Sequence, residues 1–228
     1  MMELTSRQIT ISIAFPIVIA IFIVLGVLVI KKDAKYWGNR LFATFFWLVA
    51  LALTFNVSYL FSVNVPLIFI LNIITIELIN FGVLPLILGT LVIYKGEEQI
   101  IKSISTLGII LLYSVAVLVH ILISYNNTVS ANYDPNWSLE FGIYELVFSQ
   151  VVLISVFIIS IKMYRELGKE TRGRFRWFLI GLIFLDITLV SITISNINII
   201  PGYDTIGSIL NFMVVIGAIL IYKGIIRK

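Results

Sequence analysis

Seven long apolar stretches run through this chain, and they leave few choices of fold. They cover approximately residues 9–30, 41–61, 67–93, 104–124, 141–161, 175–199 and 205–221. Lipid offers a bare backbone no hydrogen bonds, so a segment crossing roughly 30 Å of hydrocarbon is a helix of about 20 apolar residues or a barrel strand. Barrel strands alternate apolar and polar residues, whereas these runs are apolar all round. Composition agrees: 60% of residues are hydrophobic, 12% are charged and the mean hydropathy is +1.09. Soluble domains hold roughly 45–50% apolar and about 25% charged residues. The expected fold is an all-α integral membrane protein, one seven-helix domain over residues 1–228.

Proline placement fits helical spans. Pro66 and Pro201 stand where helices begin, a position at which the missing N–H is harmless. Pro16 and Pro85 lie inside spans and are expected to kink them. The first run exceeds the usual ~7–15 apolar residues of a signal peptide, and its basic cluster follows it, so it is expected to be retained.

Basic residues mark cytoplasmic loops. With the N-terminus outside, 15 of the 16 Lys and Arg residues fall in inner segments, leaving only Arg7 outside. That split requires an odd number of spans. The expectation is a multi-pass cell-membrane protein with an extracellular N-terminus and a cytoplasmic C-terminus. The net charge of +4 is then a matter of topology, and no nucleic-acid partner is expected.

Gly89-Thr-Leu-Val-Ile-Tyr-Lys-Gly96 and Gly217-Ala-Ile-Leu-Ile-Tyr-Lys-Gly224 share five of eight residues at an offset of 128. An offset of 130 places Lys32 on Lys162 and Trp47 on Trp177. Residues 9–96 and 141–224 therefore read as a 3+1+3 parallel repeat with the fourth helix as connector. The plainer alternative is that Tyr-Lys-Gly is a good sequence for leaving the membrane.

In architecture alone, this plan resembles the SWEET sugar transporters. The helix count also resembles microbial rhodopsins, G-protein-coupled receptors and the seven-helix sensor regions of some histidine kinases. The motifs of these families do not follow. Helices 2, 5 and 6 hold no proline, the seventh run holds no lysine for a retinal Schiff base, and Tyr94-Lys95-Gly96 stands where an Asp-Arg-Tyr triplet would be. No retinal is expected, and no family is assigned.

Ionisable residues inside a span are expensive and hence candidates for function. Glu77 and Asp186 lie about 15 Å into their helices at 1.5 Å per residue, both near the expected midplane. Asn80 shares the face of Glu77, and Thr193 that of Asp186. Tyr113, Gln150 and Asn211 are candidate neighbours, and His120 is a candidate pH sensor in the outer third of helix 4. Together Glu77, Asp186, Asn80, Tyr113, Gln150, Asn211 and His120 form the candidate ligand or ion site. The competing reading is interhelical hydrogen bonding, which Asn56, Asn72 and Asn196 also suit. Glu145 reads as interfacial. Tyr133 and Trp137, in the long outer loop, read either as caps on a cavity or as interfacial anchors.

Two cysteine-free, motif-poor conclusions follow. With no Cys and one His, neither thiolate nor multi-His metal sites are expected. No phosphate-binding glycine loop, nucleophile elbow or zinc helix appears, so no enzyme and no cofactor are expected. Two functions remain. One is a stand-alone receptor or sensor that signals through a basic inner face, with a cytoplasmic partner at Lys162–Arg176. The other is a transporter for a small solute, proton or cation built on the midplane carboxylates.

Overall fold

The structure, a computed structural model, describes residues 6–131, 133–197, 207, 210 and 212–225, with side chains omitted at residues 6–11 and 170. Its long helices are α1 (Ser6–Lys32), α2 (Trp37–Leu60), α3 (Val65–Lys95), α4 (Ile104–Ile123), α5 (Leu139–Glu166), α6 (Lys169–Ile197) and α7 (Met213–Ile225). A five-residue helix, Glu97–Ile101, joins α3 to α4. Between α4 and α5 the chain makes a small antiparallel ladder, β1 (Thr128–Val129) with β2 (Pro135–Asn136). Helices α1–α6 are long and apolar enough to cross a membrane, and α7 is a shorter apolar helix. The protein is a multi-pass, all-α membrane protein. The beginning of the seventh expected span, including Asn211, lies outside the described residues.

Local chemistry sets the helix ends. Asn64 caps α3 by accepting the Leu67 N–H at 3.1 Å, with Pro66 in the first turn. Ser138 caps α5 by accepting from Phe141 N at 3.2 Å. Gly96 closes α3 at φ 90, a conformation that disfavours side chains. Helix α3 has 31 residues, about 46 Å of rise, and so overshoots the bilayer core.

Packing follows the rule of membranes, in which lipid is as apolar as leucine and close approach replaces the hydrophobic drive. A Cβ on Gly181 would stand 2.8 Å from the Gly217 carbonyl oxygen, and one on Gly217 would stand 3.0 Å from that of Gly181. Only glycine lets α6 and α7 approach so closely. The core is aromatic in the half nearer the basic loops: Phe22 meets Phe46 edge-on at 5.9 Å, and Phe42 meets Phe178 edge-on at 6.1 Å. Helix α4 is peripheral and packs chiefly against α3 and α5. Its buried stripe is Tyr113, Val117 and His120, while Leu112 and Leu122 are about three-quarters exposed, at 74% and 75%.

Candidate functional site

The polar side chains collect at the end of the bundle that carries the α4–α5 loop, here called the loop end. His120 lies three residues before the end of α4, about 5 Å below it. Glu145 lies six residues into α5, about 9 Å from the same end. Glu77 is twelve residues into α3, yet reaches the same level because α3 overshoots. Three helices thus bring together one imidazole and two carboxyls, all buried: His120 is 0% exposed, Glu145 4% and Glu77 6%.

His120 Nδ1 is 2.9 Å from Glu77 Oε1, and Nε2 is 3.6 Å from Glu145 Oε2. The first is an ion-pair distance without hydrogen-bond alignment, and neither oxygen of Glu77 makes a directed hydrogen bond. Glu145 is better supplied, since Asn80 Nδ2 donates to Oε2 at 3.0 Å. Two aromatic rings of α5 lie nearly parallel to the imidazole. Phe141 stacks on it at 4.0 Å between centroids, and Tyr144 at 5.2 Å. Tyr113 donates its hydroxyl proton to the backbone carbonyl of Asn80, and Tyr144 donates to that of Ala116 at 2.8 Å. Among the described residues, no lysine or arginine pairs with this cluster.

The loop folds down beside the cluster. Trp137 is 4% exposed, meets Phe141 edge-on and donates its indole N–H to Asn72 Oδ1 at 3.1 Å. Its backbone N–H donates to Asn196 O at 3.0 Å, tying the loop to α6. Asn72 donates to Tyr59 Oη at 3.4 Å, and Asn56 donates to the same oxygen at 2.9 Å. A cavity of about 60 Å³ lies beneath, with Asn56, Tyr59, Asn72, Asp134, Trp137 and Asn196 in its wall. Tyr133, at φ 61, packs against Tyr59, Leu60 and Ile68. The cap reading of the loop therefore describes where Trp137 sits.

Below that cavity the bundle turns apolar. A second cavity of about 60 Å³ is lined by Phe15, Val18, Phe45, Val49, Leu153 and neighbours, with Thr188 the sole polar side chain among the described residues. At the opposite end, Lys32, Asp33, Tyr36, Asn39, Phe42, Thr171 and Phe175 line a larger space of about 330 Å³. In the basic turn between α5 and α6, Arg172 donates to the carbonyls of Leu167 at 3.2 Å and Arg165 at 3.0 Å, and so closes the turn. Lys223 sits 4.2 Å from the Trp177 ring.

Of the residues expected from sequence to form one site, Glu77, Asn80, Tyr113 and His120 come together. Asp186 and Gln150 do not join them. Gln150 Nε2 donates to Asp186 Oδ1, and Asp186 borders a groove of about 130 Å³ between α5 and α6 with Leu153, Phe157, Leu182 and Ile183. Asp186 is only partly buried there, with Ile183 46% and Ile187 37% exposed on either side. Asn211 lies outside the described residues. The residue that sequence reading missed is Glu145. It stands near a helix end, where an acid ordinarily reaches water, but here it is 4% exposed and meets Asn80 of α3 and His120 of α4. The available signal was its spacing: Phe141, Tyr144, Glu145 and Phe148 recur at three and four residues, one helix face with an acid among aromatics.

No protein-family model matches the chain, and comparison with curated proteins finds no match.

Proposed function

We propose that this chain is a stand-alone seven-helix membrane receptor or sensor that takes its stimulus at the loop end and passes it to the basic end. One observation carries the reading: a contacting set of carboxyl, imidazole and amide side chains is gathered at the loop end, and the next cavity below it is lined almost wholly by apolar side chains. The loop-end cavity has three amides, a tyrosine, an indole, a threonine and Asp134 in a wall otherwise apolar, while the next cavity, which shares Phe15, Leu53, Ile79 and Ile192 with it, offers among the described residues a single threonine hydroxyl. Phe22, Phe46 and Phe178 pack toward the basic-end space, whose wall includes Phe42, the edge-on partner of Phe178. A receptor needs a pocket open to one side, whereas a transporter needs a polar route to each side in turn.

The orientation that goes with this reading is N-terminus outside and C-terminus inside, from the basic-residue bias. The loop end then faces outward. The segment 162–176 faces the cytoplasm, where Lys162, Arg165 and Lys169 are the charges offered to a separate signalling partner. The rival, a small-solute or proton-coupled transporter, draws its support from the basic-end space of about 330 Å³.

The test uses the absence of cysteine, because any introduced thiol is the sole one. Single cysteines at Ser130, Lys102 and Lys169 are to be labelled in intact cells with an impermeant maleimide. Ser130→Cys should label, and the other two should label only after lysis. In proteoliposomes, the purified chain should move no solute or proton above the leak of empty vesicles. Flux that Trp137→Ala or Asp186→Asn abolishes would replace the receptor reading with the transporter.

A further inference from the structure

We propose that Glu77, His120 and Glu145 form one proton-binding centre, and that uptake of a further proton from the loop side loosens α4 from α3 and α5. The proposal deepens the receptor reading by naming the proton as a stimulus, and it rests on that reading only for what happens at the basic end.

Charge counting comes first. The three groups can bind three protons, and the net charge of the cluster is the number bound minus two. A buried site without lysine or arginine favours zero net charge, because an unbalanced charge in apolar surroundings is costly. Zero charge means two protons over three sites, such as an imidazolium facing one carboxylate with the other carboxyl protonated. The ionisable groups facing the cluster are Glu77 from α3, Tyr113 and His120 from α4, and Tyr144 and Glu145 from α5. On the neighbouring cavity wall the loop adds Asp134 and α2 adds Tyr59, both beyond Trp137 and Asn72.

A third proton changes the balance. It neutralises the last carboxylate and leaves an imidazolium between two neutral acids, flanked by Phe141 and the Tyr144 ring. Among the described residues, Glu77 has no other directed partner that could hold it in place. Helix α4 is the element able to respond, because its buried stripe is short and its other faces meet lipid. Tyr113 to Asn80 and Tyr144 to Ala116 remain as hinges nearer the bundle. The cluster lies on the loop side of the bundle, about 5 Å from the end of α4 and about 9 Å from the start of α5.

The test uses the full chain in nanodiscs with spin labels on Leu122→Cys in α4 and Val147→Cys in α5, both lipid-facing at 75% and 57% exposure. On acidification from about pH 8 to about pH 5, the range in which histidine sites ordinarily titrate, the α4–α5 distance distribution should lengthen or broaden reversibly. The Glu77→Gln, Glu145→Gln double variant keeps shape and hydrogen-bonding capacity and should show no shift. Infrared absorption on an Asp186→Asn background checks the proton count without relying on motion. At neutral pH one protonated glutamate carboxyl should appear, and either Glu→Gln change should abolish it, since each leaves a neutral ion pair. An unchanged wild-type distance, a double variant that shifts equally, or no protonated carboxyl overturns the proton centre. A second label pair at Lys102 and Lys169 separates the two claims. Movement at the loop end without movement at the basic end keeps the proton centre and overturns the receptor reading.

Discussion

Glu77 and Asp186 are both carboxylic acids deep in apolar helices, and they have different fates. Glu77 is 6% exposed and meets His120 at a junction of three helices, with Glu145 and Asn80 completing the cluster. Asp186 is partly buried, takes one amide hydrogen from Gln150 and borders a groove on the outer surface of α5 and α6. An acid whose charge is balanced only by a buried histidine cannot lose that histidine cheaply. An acid at an open groove is held by a single amide and has unfilled space beside it. Depth in the sequence is therefore a poor guide to how strongly an intramembrane acid is tied to the fold.

His120→Ala should give the largest effect, about 3–5 kcal/mol of destabilisation, because it removes the cation that faces a buried carboxylate. Denaturant unfolding in micelles at neutral pH measures it. A loss below about 1 kcal/mol would mean that the cluster holds no buried charge, and the contrast with Asp186 would collapse.

Trp137→Ala comes next, at about 3 kcal/mol from lost burial alone. It also removes the indole bond to Asn72 and the edge contact with Phe141, the ring stacked on His120. Proteolysis within 124–138 should accelerate by more than tenfold. An unchanged cleavage rate would show that the loop is not fastened by this residue.

Gly181→Ala sharpens the comparison from another side, since it perturbs α6 five residues from Asp186 without touching any acid. The new methyl meets the Gly217 carbonyl at 2.8 Å, an overpacking expected to cost about 1–3 kcal/mol. Thermal unfolding should show it at every pH alike, unlike the His120 variant.

Asp186→Asn should be mildest, below about 1 kcal/mol, the scale of a single interhelical hydrogen bond in a membrane. If Asp186→Asn rivals His120→Ala in the same unfolding assay, the groove is covered in the working protein and the two acids are equivalent after all.

Sequence alone determined the helices. Runs of about 20 apolar residues admit no other backbone in lipid, and caps at Asn64 and Ser138 together with Gly96 set boundaries within a few residues of those expected. It also singled out Glu77, Asn80, Tyr113 and His120 as polar residues in apolar company. Which of them meet was decided by tertiary structure. Helical periodicity says which residues share a face but not which helix that face will find, nor how far one helix overshoots another. The overshoot of α3 lowers Glu77 to the level of His120 near the end of α4, and it makes Glu145, two turns from a helix end, a buried partner rather than an interfacial acid. The same packing turns Asp186 toward the groove between α5 and α6, because the α6 face opposite it is taken by the close glycine contact with α7.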